Sequence, residues 1–509
     1  MKHLAEKYHA GQFRKSNDES KIPYIVHPQM VAETLQQWGE DESSTAVMAA
    51  WGHDLLEDTA VTENEIIAAS NERVLSCIKQ LTHDGGCDKE SYLNHIADSG
   101  VRDVILVKTA DRICNTKDFV QLNGALYAFR YLHQADTLVD ALKKLSGDAA
   151  AQNALEAWEA IDEQLKPVAS RRMIRGCMLG GAVGDALGAP VEFLRVRDIE
   201  SIFGDAVDDY VEFGDGTGSI TDDTQMALFT AEGILRGAVR SREKGICGAR
   251  GVLHYAYLRW LKTQATCVKA WDEALNSGWL IKEKQLFSRR APGMTCISAL
   301  QETPVGETAK NNSKGCGTVM RMAPAGLYFS PETAYEYGCE FSAITHGHPT
   351  GITSGGAFAM LISYLYLGKS LNTALDLVEA YLEKFPESAE TLAAIRHSRM
   401  ATSVSELGEG WVAEEALAIG IYCALHHTWD FRAGVLEAVN ISGDSDSTGS
   451  IAGNILGVLN GENGIPEKWC RNLREYEIVS QVADDLHQKI ETGEDGHVTE
   501  RWWNRYPGF

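Results

Sequence analysis

Apolar positions recur at helical spacing along nearly the whole chain. Val31-Ala32-Glu33-Thr34-Leu35-Gln36-Gln37-Trp38 follows Pro28 and is stopped by Gly39, which predicts a short amphipathic helix between two punctuators. Segments 46–56, 63–69 and 101–111 carry the same period. A polar, Ala-rich helix with Trp158 and Ile161 is predicted from Asp148 to Leu165. It should end at Lys166-Pro167-Val168-Ala169-Ser170, because proline disfavours helix in the residue before it. Alternating runs of β-branched residues are almost absent. The pattern therefore predicts an all-α fold.

Beyond that break the texture changes. Gly176, Gly180, Gly181, Gly184 and Gly188 crowd an apolar stretch, and the domain boundary is placed near residue 168. A length of 509 residues exceeds what one core usually serves. The expected division is 1–168 and 169–509, with no internal repeat relating the parts.

Charge narrows the partners. With 47 Lys+Arg and 71 Asp+Glu the formal charge is −24, which argues against wide contact with nucleic-acid phosphates or anionic lipid. A local basic pocket for a small phosphorylated ligand remains compatible. The N-terminus lacks an apolar signal core, and no run of 18 apolar residues predicts a membrane span. The 11 cysteines form no C-x-x-C pair, so reduced, mostly buried thiols in a cytoplasmic protein are expected.

The candidate chemistry of the first part lies in His27, His53-Asp54 and Asp111. Histidine and aspartate together suit a transition metal that keeps positions open for water and a phosphate oxygen. His53 and Glu57, Asp54 and Asp58, and Asp111 and Asn115 are each four residues apart, so on a helix each pair shares a side. A lone His-Asp pair is more often surface polarity or a satisfied core histidine. Taken in order with their neighbours, these residues resemble the HD-type hydrolase domain of RelA/SpoT alarmone enzymes. The matching segments are 9–15, 23–28, 53–59 and 108–112. The resemblance implies one Mn²⁺ held by His27, His53, Asp54 and Asp111, with Glu57 and Asp58 activating or orienting water. Arg14, Lys15 and Asn115 would contact the nucleotide, and the reaction would remove a 3′-pyrophosphate from (p)ppGpp or a relative. Two departures bear on the substrate. Segment 16–22 is longer and more acidic than the family's, and Asp118 stands where the family usually has threonine. A carboxylate there repels phosphate unless paired.

The second part carries three acidic clusters, at Asp185 to Glu192, Thr221-Asp222-Asp223-Thr224 and Asp444-Ser445-Asp446-Ser447-Thr448. The last two open apolar helices, 226–235 and 451–459, so helix capping is the simplest explanation. Capping accounts for one oxygen-bearing residue per helix start, not three or four. Crowded carboxylates repel unless protonated or bound to cations, and oxygen donors without His or Cys favour Mg²⁺ or Mn²⁺. Asp-x-Asp lacks the glycine and closing glutamate of a calcium loop.

Together with 290–296, 314–324 and 345–349, these clusters resemble the ADP-ribosylglycohydrolase family, typified by the dinitrogenase reductase-activating glycohydrolase, over Arg175 to about Leu459. The resemblance implies two Mg²⁺ shared by Thr221, Asp222, Asp223, Asp444, Asp446 and Thr448, which grip the distal ribose. Glu192 would position or deprotonate the water that attacks C1″, with Asp185 supporting the site by hydrogen bonding. Backbone amides of Gly315, Cys316, Gly317 and Thr318 would cradle the diphosphate, and His346 would line the pocket. Cys316 stands where asparagine is commonest, which bears on the linkage cut. Arg290 would either stack on adenine or cap a helix.

The leading expectation is a bifunctional hydrolase acting on an ADP-ribosylated protein side chain, arginine favoured, and on a nucleotide pyrophosphate. An antitoxin or detoxifying role is an expectation from that pairing alone. The alternatives are an immunity protein that binds ADP-ribose or a nucleotide and occludes a toxin, and an HD phosphohydrolase of an ordinary nucleotide.

Overall fold

The computed structural model describes all residues except 16–20, 84, 215, 267, 269–271 and 509. The acidic insertion therefore lies largely outside the described residues. The chain divides into two compact units, Met1–Ala169 and Ser170–Phe509. Both are helical; the strands among the described residues are an antiparallel pair, Glu212–Phe213 and Gly216–Thr217.

In the first unit the helix Val26–Gln37 buries Val31, Ala32 and Leu35 and ends before Gly39, as its apolar spacing predicts. Glu63–Ala69 is a helix closed by a Thr62/Glu65 capping box. The expected helix 46–56 is instead two, Thr45–Gly52 and Leu55–Asp58, with His53 and Asp54 in the turn between them. Propensity alone does not report this interruption, because both residues keep right-handed helical angles. The helix expected at 101–111 runs on, as Arg102–Asn123, until Gly124 adopts a positive φ.

Proline does not end the Ala-rich helix. It continues from Ala149 to Gly188 with Pro167 inside, giving up one backbone hydrogen bond there. Burial beyond the proline offsets that loss: Met173, Ile174, Cys177 and Leu179 are all nearly inaccessible.

In the second unit the Ser170–Gly188 portion of that helix lies antiparallel against the helix Ser445–Asn460. A Cβ at Gly176 would collide with the carbonyl of Gly457, one at Gly180 with Gly453, one at Gly184 with Gly449, and one at Gly188 with Ser445. The collisions are reciprocal for Gly449, Gly453 and Gly457. Backbone thus meets backbone along four turns, which only glycine permits. The seam brings the segment just after Gly188, with Glu192, beside the start of the other helix, with Asp444 and Asp446. Asp222–Lys244 is a third buried helix, with Thr221 as its N-cap.

Candidate active sites

In the first unit His27, from the Val26–Gln37 helix, meets Asp111 of the Arg102–Asn123 helix, with Nε2 3.0 Å from Oδ1. His53 Nε2 lies 3.3 Å from His27 Nε2 and 3.1 Å from Asp54 Oδ2. It is also 3.7 Å from Asp111 Oδ1, and His27 Nε2 is 3.8 Å from Asp54 Oδ2. Four donors from two helices and a turn thus converge on one point. His53 Nδ1 lies 2.7 Å from the Ala50 carbonyl, and a proton donated there leaves the Nε2 lone pair facing the other three donors. Two imidazole nitrogens cannot both hold lone pairs at 3.3 Å without a proton or cation between them. The donor set fits a divalent transition ion. With only protons to neutralise the site, burial disfavours the charged His53 ring, but Asp54 and Asp111 outweigh this and lift it to about 10.

Neighbours that sequence reading did not assign complete this centre. The Tyr24 hydroxyl donates to Asp54 Oδ2 at 2.7 Å, and Lys108 Nζ lies 2.9 Å from Asp111 Oδ2. Both sit in the motifs already singled out; only their side chains' direction was missing. Asn115 donates to Asp111 Oδ1 at 2.7 Å and accepts from Arg14 Nη2 at 2.8 Å. Arg14 Nη1 is 2.9 Å from Asp118 Oδ2, so the carboxylate of Asp118 is paired. Glu57 and Asp58 are exposed, and Glu57 Oε2 accepts from the His83 amide at 3.1 Å. Lys15 is exposed.

The second unit holds a cleft of about 330 Å³. Glu192, Asp222, Asp223, Asp444 and Asp446 all line it, with Gly315, Cys316, Gly317 and His346. One oxygen each from Glu192, Asp444 and Asp446 lie within 4.8 Å of one another. Thr221 caps its helix by accepting from the Asp223 amide at 3.3 Å, whereas Asp444 starts its helix with no side-chain cap. Capping therefore explains Thr221 and not Asp444. Asp223 Oδ2 is buried with no hydrogen-bond partner, an arrangement that a carboxylate tolerates only beside a cation or a proton.

The electrostatics agree. Burial, then the charge of Asp446, pushes Asp222, Asp223 and Asp444 well above the usual carboxylate range. The same causes, burial first, lift Glu192 to about 10 and Asp185 to about 7. These residues fit divalent cations with oxygen ligands. Carboxyls held high bind more protons in the folded chain than in the unfolded one. Cation-free protein is therefore expected to lose stability as pH rises from about 4, the ordinary carboxyl value, towards the Glu192 value near 10. Melting at pH 5.5, 7 and 8.5 with EDTA, and again with saturating Mg²⁺, measures this. A cation-free melting temperature that climbs with pH contradicts it.

Several expected residues take other places. Asp185 is fully buried, does not line the cleft, and accepts from the amides of Thr221 and Thr224 at 2.9 and 3.1 Å. It positions the Thr221 turn by hydrogen bonding, as expected of it. Thr448 Oγ1 donates to the carbonyls of Ala438 and Asp444 at 2.8 and 2.9 Å. The Cys316 amide is committed to the Trp411 carbonyl at 3.2 Å, so it is not free for a diphosphate, and Thr318 is buried off the cleft. The Cys316 thiol donates to Asp444 Oδ2 at 2.7 Å. Burial, with Arg321 adding, pushes His346 down to about 3, so it faces the cleft neutral. Arg290 pairs with Glu475 at 3.0 Å and donates to the Ile220 carbonyl at 2.8 Å. That buried pair fixes the chain on both sides of the Thr221 turn, since the Arg290 carbonyl accepts from the Asp222 amide at 3.3 Å.

Sequence reading missed the aromatic rim. Phe193, with φ of 69°, stacks on Trp411 at a ring separation of 5.1 Å, and both line the cleft. The left-handed backbone at a non-glycine residue next to Glu192 is strained. Nothing in a lone Trp between Gly410 and Val412 signals this placement.

Buried carboxylates that converge on one cleft have the chemistry of a divalent-cation site. Comparison with known proteins gives the family: the chain belongs to the ADP-ribosylglycohydrolases, whose family model matches residues 166–496. It is 30% identical over 324 residues to an uncharacterized protein of Archaeoglobus fulgidus, covering 62% of this chain and 95% of that one. It is 25% identical over 321 residues to the ADP-ribosylarginine hydrolase Tri1 of Serratia proteamaculans, covering 61% and 78%. The first unit is similar to a guanosine-3′,5′-bis(diphosphate) 3′-pyrophosphohydrolase of Borreliella burgdorferi, with 41% identity over 83 residues. That match covers 16% of this chain and 12% of the relative. Among the described residues no helix is long and apolar enough to cross a membrane.

Proposed function

We propose that the second unit removes ADP-ribose from modified arginine side chains, using two Mg²⁺ held by Thr221, Asp222, Asp223, Asp444 and Asp446. The observation that carries this reading is the buried carboxylate group of one cleft, with an unpartnered Asp223 oxygen and Glu192 within reach of Asp444 and Asp446. When bound, the cations supply the positive charge that lets these carboxylates ionise together and that grips vicinal ribose hydroxyls. Glu192, ionised in that state, accepts the proton of the water that attacks C1″. The surrounding carboxylates stabilise oxocarbenium character as the bond to the guanidinium breaks. Neutral His346 and the Gly315–Gly317 segment line the same cleft as the carboxylates. The arginine preference draws support from the name of the Serratia relative. The test is release of ADP-ribose from ADP-ribosyl-arginine with Mg²⁺, with EDTA, and with Glu192→Gln. Binding without product in Mg²⁺ would favour an immunity protein instead.

A second reading concerns the first unit. We infer an Mn²⁺-dependent hydrolase of a nucleotide 3′-pyrophosphate, carried by the convergence of His27, His53, Asp54 and Asp111 and supported by the Borreliella similarity. Glu57 and Asp58 orient the attacking water, and Arg14, Lys15 and Asn115 lie on the nucleotide side. Turnover of guanosine 3′,5′-bis(diphosphate) should fall at least about a hundredfold in His53→Ala. Tyr24→Phe, which strips one hydrogen bond from Asp54, should cost about tenfold. Retention of full turnover in His53→Ala refutes the assignment.

A further inference from the structure

Two of the cations beside the first unit's metal centre are already paired. Lys108 is bound to Asp111, and Arg14 reaches the centre only through Asn115, with Nη2 on Asn115 Oδ1 at 2.8 Å. The other end of the Arg14 guanidinium lies 2.9 Å from Asp118 Oδ2. Asn115 in turn donates to Asp111 Oδ1 at 2.7 Å, so a chain of four side chains runs from the metal ligand out to Asp118. The Arg14 and Asp118 side chains keep 16% and 30% of their exposure, so solvent screens the pair less than a surface bridge. Glu57 and Asp58 add exposed carboxylates beside the same centre. A phosphate that comes to Arg14 must first displace Asp118 and then sit near its charge.

We propose that Asp118 is a specificity-determining residue: by occupying Arg14 it biases the first unit against heavily phosphorylated nucleotides and towards the least charged ones. The inference rests on the reading of that unit as a nucleotide phosphohydrolase. Asp118 does not touch the reacting atoms; it acts through Arg14. A nucleotide with few phosphates binds through the metal and gains little from a freed Arg14. Each added phosphate group meets a carboxylate where a cation is otherwise at hand, so the penalty grows with phosphate number.

The test uses the full chain loaded with Mn²⁺ and three guanosine nucleotides that share a 3′-pyrophosphate and carry one, two or three 5′-phosphates. In the native protein kcat/KM is expected to fall as the 5′ chain lengthens. Asp118→Asn should flatten that series, raising the longest nucleotide about tenfold relative to the shortest and chiefly through KM, as expected for one charge-assisted hydrogen bond gained. The double variant Arg14→Gln/Asp118→Asn should lose the gain, because no cation is then released. An unchanged slope in Asp118→Asn, or a slope that flattens equally in the double variant, overturns the proposal while the hydrolase reading stands. Absence of any turnover that Asp54→Ala abolishes overturns the hydrolase reading, and the proposal with it.

Discussion

Asp446→Asn is expected to lower kcat/KM for release of ADP-ribose at least about a thousandfold while raising the stability of the cation-free protein. Asp446 is the first charged neighbour, after burial, that pushes up Asp185, Glu192, Asp222, Asp223 and Asp444. It is itself buried, with Oδ1 accepting from the Ser447 amide at 2.9 Å, a bond that an asparagine oxygen preserves. The substitution thus removes the charge at the centre of the cluster and leaves its shape. Without that charge the remaining carboxyls ionise more easily, and the repulsion in the cation-free fold falls. The same loss weakens the grip on divalent cations. Melting with EDTA and with Mg²⁺ reads both sides: the EDTA value rises and the Mg²⁺-induced shift shrinks. Activity near the native level, or a cation-free melting temperature that drops, contradicts the account of Asp446 as the focus of the site. Functional sites often trade stability for chemistry in this way.

The second large effect concerns a residue with no functional group. Gly184→Val is expected to destabilise the protein by ~3 kcal/mol or more and to abolish ADP-ribose release. Its new Cβ would overlap the carbonyl of Gly449, and a backbone atom in a buried helix cannot step aside as a side-chain end can. The two helices must separate, and Glu192 moves away from Asp444 and Asp446 with them. Gly251→Ala is the matched control, since it sits within the helix Ala249–Thr263 with nothing within 4 Å of an added Cβ. There the change should be neutral or stabilising by about 0.4–1 kcal/mol, from the unfolded chain's lost freedom. Denaturant titration of the two variants compares them directly. Equal stabilities of Gly184→Val and Gly251→Ala would show that the seam does not bear on the fold.

Helix content was legible because the spacing of apolar residues is a local property: Val31, Leu35 and Trp38, or Ile66 within Glu63–Ala69, mark a buried stripe that needs no partner to be recognised. The donors were legible too, because carboxylates gathered at helix starts exceed what capping uses, and because His27, His53-Asp54 and Asp111 in order form a chemical pattern. Local reading failed wherever a residue's state depends on what faces it. Pro167 is helical because burial on its far side outweighs the bond it lacks. His53, in the turn between two helices, meets partners 26 and 58 residues away in sequence, His27 and Asp111. Arg290 finds Glu475, and Asp118 finds Arg14.

The sequence by itself determined which elements form and which oxygen and nitrogen donors the chain owns. Tertiary structure alone decided that the glycines of Ser170–Gly188 and those of Ser445–Asn460 are each other's partners. It also decided that this contact brings Glu192 to Asp444 and Asp446 across some 250 residues of chain. The physical reason is that glycine carries no side chain to announce a mate. It leaves room for a backbone, and only the folded packing says which backbone fills it.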